Sequence, residues 1–505
     1  MSESAMASPV RETGLEHLVG ELGEDRSALR DALVAGPGGP VVVDPALLGG
    51  VLRVVAGEDA IIAGLAAAGH VDRRRRVFTG AVTVAAVLGL CLFRGESQDL
   101  VIARVLADMP RVRVEGRPSG AALSKARVRL ADDAMRVVFE RSATAMPEPG
   151  VECYAFDLLV TAFDGTVFDL AATAEMDAGF ATPSGGRFPQ ARVVTLAVCG
   201  LRWVLAARVG SSATSEQALV DQMADCLAPG TLNLADRNFF SMDRWVRFQA
   251  TGAQLAWRVK NGLKSLPATM VAVLSDGSSR VRLSESDAML AYRRKKTGDP
   301  GLRRLPDTIA RLVEFTLQVR DEAGRVRTSR FRILTTLLDP GRYPAGRIAE
   351  IYGERWQIEL IFARVKIALR GSSTRLRGQS PDLAVQEIWG LLIVYNALVT
   401  LAVAAALTLG VGPDEISFTA VLALTRASLD HDTPCRNCGC RPSDIVDPLT
   451  VLTATIATQP RNRTDRQRTA PRTKKQRQTE RTRDVEYLIT VVPSTLSRND
   501  ETALS

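Results

Sequence analysis

The period of the hydrophobic pattern changes twice along this chain, and that limits what it can fold into more than any other feature. Up to about residue 150, apolar positions recur every three or four residues, in 15–35, 77–93 and 119–145, with a Gly/Pro-rich break at 36–40. From Val151 the period falls towards two. Segments 154–160, 161–168, 192–199, 202–209 and 231–235 are rich in Val, Leu, Phe and Thr and bounded by Gly or Pro, as strands are. A helix-like piece at 241–251 is followed by further strand-like runs at 254–260, 270–274, 281–283, 313–319 and 331–337. Asp276-Gly277 and Ala323-Gly324 are hairpin-turn candidates among them. Helical spacing returns at Pro344 and continues through Arg370, then 381–409 and 414–428. The expected fold class is mixed α+β. It comprises a helical N-terminal domain (1–150), a sheet domain (151–430) interrupted by a second, β-rich sheet region at about 245–343, closing helices, and a flexible basic C-terminal segment (431–505).

With 505 residues the chain is too long for one core. Its net charge of +8 favours a polyanionic partner, because cations that neutralise phosphates gain affinity by counterion release. The distribution of charge says more than the total. Segment 461–483 is dense in Arg and poor in apolar residues, and reads as a DNA-contacting arm or a solvated linker; Arg73, Arg74, Arg75 and Arg76 precede a helix and could touch phosphate. The seven cysteines form no regular framework and no signal peptide precedes them, so a reducing cytosol is the expected location. His431, Cys435, Cys438 and Cys440 lie close together, but their spacing matches no standard zinc pattern. Residues 390–412 carry no charge and could span a bilayer by length. Asn396, two Thr and acidic flanks make a buried helix the expectation, with no membrane partner.

The most specific string begins at Tyr352 and runs through Arg355 and Glu359 to Lys366. At 100° per residue those four side chains share a helical sector roughly 60° wide, beside Ile358, Ile361, Phe362, Val365 and Leu369. An acid and two cations on a stripe flanked by large apolar groups suggest a half-buried functional face. One carboxylate holds a divalent cation poorly, so partners are needed. Asp236 follows the apolar run 232–235 and precedes a helix; Asp164 sits inside a strand with Gly165 beside it. Asp157 and Asp169 compete with Asp164, at odd offsets that face the other way in a continuous strand. There is no phosphate-binding G-x-x-x-x-G-K-[S/T] loop, and the three histidines stand in no hydrolase-like arrangement.

Taken together these strings resemble the IS-four family of insertion-sequence transposases, of the DDE class with a ribonuclease-H-like catalytic core. The family's Y-(2)-R-(3)-E-(6)-K signature is matched by Tyr352, Arg355, Glu359 and Lys366. The Asp-Gly-Thr at 164–166, the LADRNFFS string at 234–241, the Leu-Ala-Trp-Arg-Val-Lys segment ending at Lys260 and the QEIWGLL string from Gln386 are similar to family landmarks in family order. Asn238 departs from the glycine that relatives often carry there. The resemblance implies that Asp164, Asp236 and Glu359 are catalytic and hold two Mg²⁺ or Mn²⁺ ions, while Arg355, Lys366 and Tyr352 serve DNA phosphates, Tyr352 alternatively by positioning Arg355. It also implies terminal inverted repeats and target DNA as double-stranded partners, end recognition by the N-terminal helices, and a homodimer on paired ends. A stand-alone nuclease of the same fold and a non-catalytic DNA-binding descendant are the rival readings.

Overall fold

The computed structural model describes residues 58–70, 72, 77–107, 118–261, 266–321, 324–369, 375–431, 448–459, 484–494 and 496. The expected helix at 15–35, the Arg73 to Arg76 run, Cys435, Cys438, Cys440 and the Arg-rich stretch 461–483 lie outside them.

Among the described residues four helices come first: α1 (Glu58–Ala67), α2 (Gly80–Leu92), α3 (Gln98–Ala107) and α4 (Gly120–Thr144). Thr79 and Ser119 start α2 and α4 by accepting the N–H of Val82 and Ala122, the usual relief for orphan donors at a helix start. The sheet region follows as β1 (Tyr154–Ala155), β2 (Leu158–Asp169), α5 (Ala174–Phe180), β3 (Gln190–Val198), β4 (Trp203–Ser211), α6 (Glu216–Val220), β5 (Thr231–Ala235), α7 (Met242–Gln249) and β6 (Gln254–Arg258). Next come β7 (Ala268–Val273), β8 (Ser279–Leu283), α8 (Asp287–Thr297), β9 (Thr308–Asp321) and β10 (Val326–Thr335). The chain closes with α9 (Ala345–Gly353), α10 (Gln357–Ala363), α11 (Pro381–Leu409), α12 (Phe418–His431), α13 (Pro448–Ala457) and β11 (Asp484–Val491).

The strands order as β4-β3-β2-β5-β6-β10-β9-β8-β7. β2, β3 and β4 form an antiparallel meander, and β5 and β6 then add parallel to β2 on its other side. That arrangement of five strands is the ribonuclease-H-like core. The insertion, expected as a second sheet, instead extends this one: β10 pairs antiparallel with β6, covering backbone groups that a bare edge would leave unpaired. The strand expected to break at Val160 is continuous from Leu158 to Asp169, its ladder with β3 unbroken from Thr161 to Asp169. The break falls earlier, at Phe156 and Asp157, whose φ of 55° and 63° make the turn between β1 and β2. The segment after 431 contains two packed elements, α13 against α11 and β11 on the second half of β9.

The uncharged run lies in α11, long and apolar enough to cross a membrane but with 83% of its most apolar window buried within the protein. Its polar residues explain why. Asn396 accepts from Val204 N–H at 3.1 Å and donates to Val204 C=O at 2.9 Å, substituting for a further strand along the β4 edge. Gln386 donates to Arg127 C=O at 2.7 Å, and Glu387 forms a buried ion pair with Arg94, so α11 ties the first four helices to the sheet. Gly390 is where α2 crosses most closely; a Cβ there would meet Cys91 Sγ at 2.9 Å. One hydrophobic cluster accordingly runs from Ile61 in α1 to Ile456 in α13, through the face of β2 that carries Val160 and Ala162.

Candidate catalytic site

Strand alternation selects the face on which the site lies. In β2, Val160 and Ala162 point into the cluster shared with α10 and α11, whereas Phe163 points into a second cluster with Trp245 and Trp257. In β5, Leu232 and Leu234 face the first cluster and Ala235 the second; in β6, Ala256 faces the first and Leu255 and Trp257 the second. Asp164, Asp236 and Arg258 continue these alternations onto the first face, under α10. Register sets them side by side as well. Ala162 pairs with Leu234 and Ala235 with Trp257, and continuing both ladders sets Asp164 beside Asp236 and Asp236 beside Arg258.

Glu359 arrives from above, on α10, whose Ile358 and Ile361 are buried against this face. The helix expected to run unbroken through the signature is segmented. A 3-10 turn at Glu354–Trp356 separates α9 from α10, and a π-helical stretch, Arg364–Leu369, follows. Such irregular turns often mark functional sites. The even stripe expected from a regular helix is therefore redistributed. Arg355 and Glu359 stay neighbours, 3.8 Å apart, and Lys366 leans over the Phe168 ring at 5.3 Å, further along β2 on the same face. Tyr352 is 2% exposed, its hydroxyl buried near Arg355. Burial pushes that hydroxyl up to about 12, with Asp236 also raising it and Arg355 and Arg258 opposing.

Arg355 is the hub. Its guanidinium is 3.5 Å from Asp164 Oδ2 and 3.8 Å from Glu359 Oε1; burial works against its charge, and Tyr352 followed by Asp164, Asp236 and Glu359 outweigh it, holding it firmly protonated. Asp236 meets a second cation, Arg258, at 3.9 Å, and Arg258 rests on the Phe331 ring from β10 at 4.3 Å. Each aspartate accepts the next residue's N–H, Gly165 at 2.9 Å and Arg237 at 2.7 Å. Burial raises Asp164 to about 6; Arg355 and the Gly165 N–H oppose that, and Glu359 and Glu216 add to it. Asp157 stays in its turn at the far end of β2, and Asp169, on the other face, accepts from Gln190 at 2.8 Å.

Three hard oxygen donors thus converge on one end of the sheet, the donor chemistry that Mg²⁺ and Mn²⁺ take. Among the described residues no three ligand-type side chains are drawn tightly enough to hold an ion as they stand. The guanidinium of Arg355 lies between Asp164 and Glu359, and that of Arg258 beside Asp236. Arg258 and Glu216, both at the site, were not singled out from sequence: Arg258 lies inside a recognised string, but lone Arg and Glu residues carry no pattern.

An acid on each of two neighbouring parallel strands, with a third on the helix that covers them, defines the DDE class on a ribonuclease-H-like sheet. The comparisons with known proteins agree. Residues 49–140 match the model described as insertion element 4 transposase N-terminal, and residues 155–397 match the transposase DDE domain. Transposase InsG for insertion sequence element IS4, from Escherichia coli (strain K12), is 29% identical over 364 residues, covering 70% of this chain and 77% of that protein. A piggyBac transposase from a cryo-EM synaptic complex with hairpin DNA aligns at a TM-score of 0.41 and 10% identity, over 83% of this chain and 86% of that one. The chain belongs to the IS4 family of DDE transposases, enzymes that cleave DNA and transfer its strands with the help of divalent metal ions.

Proposed function

We propose that Asp164, Asp236 and Glu359 are the catalytic acids of this transposase and together hold two Mg²⁺ or Mn²⁺ ions at the ends of its insertion sequence. The observation that carries this is that Arg355 lies 3.5 Å from Asp164 and 3.8 Å from Glu359 while the β2–β5 ladder sets Asp236 beside Asp164. When bound, such ions relieve charge at the scissile phosphate and favour attack on it, first by water and then by the freed 3′-OH. The chain's own part is positional. β2 and β5 fix Asp164 and Asp236 side by side, and α10 sets Glu359 over them. With ions held there, Arg355 would turn to pair with a DNA phosphate, with Tyr352 buried beside it as its support. Lys366, on the Phe168 ring, takes a phosphate further along the strand. The helices before about residue 150, with Arg73, Arg74, Arg75 and Arg76, recognise the terminal inverted repeats in this reading. Two copies act on paired ends, in the bacterial cytosol.

Asp164→Asn, Asp236→Asn and Glu359→Gln should each lower Mg²⁺-dependent cleavage of end DNA by about a thousandfold or more, while a mobility-shift assay still detects end binding. Cleavage retained by any one variant removes that residue from the site. Supplying donor and target DNA together separates a transposase from a nuclease, because only the former joins the two.

A further inference from the structure

Asp164 is followed by glycine for a reason the sequence did not reveal. A Cβ at position 165 would lie 2.8 Å from Glu216 Oε1 and 2.9 Å from its carboxyl carbon, so Gly165 leaves room for that carboxylate. The other oxygen of Glu216 accepts from Asn238 Nδ2 at 3.0 Å. Gln217, next in the chain, donates its amide to Asn238 twice, to the main-chain oxygen at 3.0 Å and to Oδ1 at 2.8 Å. Asn238 stands two residues beyond Asp236, in a turn closed by the Phe239 N–H on Asp236 C=O at 2.9 Å. A single pair of side chains on α6 therefore touches the residue after one catalytic aspartate and grips the turn that carries the other.

α6 is itself firmly held. Leu219 and Val220 are buried, Asp221 takes Arg244 of α7 in a two-pronged pair at 2.7 and 2.9 Å, and Arg244 also reaches Gln217 C=O at 3.2 Å. Resting on the reading given under Proposed function, we propose that Glu216 is a positioning residue: bonded to Asn238 and packed on Gly165, it sets the separation of Asp164 and Asp236 that ion binding requires. Both of its oxygens are engaged in this clip, one by a hydrogen bond and one by close packing, so it acts through Asn238 and Gly165 rather than on substrate.

The test uses the full chain, with Mn²⁺ binding measured by titration calorimetry on the protein alone and end cleavage measured in parallel. Glu216→Ala and Asn238→Gly should each weaken Mn²⁺ about ten- to hundredfold, as loss of a group that orients ligands does, and saturating Mn²⁺ should restore cleavage. The double variant should bind no worse than either single one, because one clip is broken in both. Glu216→Gln, whose amide oxygen still accepts from Asn238, should keep nearly full affinity. Glu216→Gln as weak as Glu216→Ala would mean that the carboxylate's charge itself serves the ion, and the positioning role would be wrong. Unchanged affinity in Glu216→Ala, losses that add in the double variant, or losses that follow the melting temperature would overturn it too. Asp164→Asn serves as control: if it still binds Mn²⁺ and cleaves, the carboxylate reading fails and this inference with it, whereas an inactive Asp164→Asn beside an unaffected Glu216→Ala removes only the clip.

Discussion

Two groups of charges sit in the same sheet and are treated in opposite ways. In the insertion, Arg332 and Glu314 face each other across β10 and β9 at 3.0 Å with side chains 1% and 0% exposed. Arg311, fully buried, pairs with Asp276, takes Ser278 at 2.8 Å and donates to Tyr343 C=O at 2.6 Å. Asp276 in turn accepts the Ala345 N–H at 2.9 Å, so this pair anchors the start of α9, from which the Glu359 helix continues. At the carboxylate end the contacts are longer, 3.5 to 3.9 Å, the acids are about a quarter to a third open, and three carboxylates face two guanidiniums. In the insertion each buried guanidinium has an acid at hydrogen-bonding distance, with Arg330 a second, longer partner of Glu314 at 3.9 Å. The charges proposed above to serve chemistry share their guanidiniums at longer range and are left in acidic excess, which a cation would relieve.

Exchanging one charge in each group should separate the two roles most sharply. Glu314→Gln leaves Arg332 buried without its counter-ion, which typically costs about 3–5 kcal/mol and should appear as a large fall in melting temperature. Glu359→Gln should leave melting almost unchanged while abolishing cleavage. Equal thermal losses in both variants would erase the distinction. Replacing the whole buried pair, Arg332→Met with Glu314→Leu, should recover most of that stability, since apolar side chains of similar volume fill such sites at little cost. A double variant as unstable as Glu314→Gln alone would mean that the pair's charge is needed as such.

The pH response should be smaller and confined to the open group. Asp164 lies near 6 against an ordinary value near 3.8, so between those values the folded chain keeps a proton that the unfolded chain has lost. Its contribution therefore disfavours the fold increasingly as pH rises through that window, and ion binding must expel the proton. Mn²⁺ affinity should fall as pH drops below about 6, approaching tenfold per unit for one displaced proton. A flat affinity between about pH 5 and 7 would show that Asp164 is not a ligand or is not raised.

Much of this was legible in the sequence because it is local. The period-two runs gave the strands of the core, and the spacing of Arg355 and Glu359 placed them together despite the segmented helix. Asp236 at a strand end was readable from its apolar run. What stayed hidden depends on pairings across long separations. β10 meeting β6 turns an expected second sheet into an extension of the first, and β11 joins β9 from more than 160 residues away in sequence, within a segment whose composition suggested a flexible tail. Arg258 and Glu216 reach the site through register and packing, and neither property is written in their immediate neighbours.

The most direct measurement is an anomalous diffraction map of crystals grown with Mn²⁺ and insertion-sequence end DNA. Two peaks bounded by Asp164, Asp236 and Glu359, with Arg355 turned from them towards a phosphate, are the predicted result. Manganese bound elsewhere, or Arg355 still lying among the three carboxylates while the DNA is cut, would contradict the account.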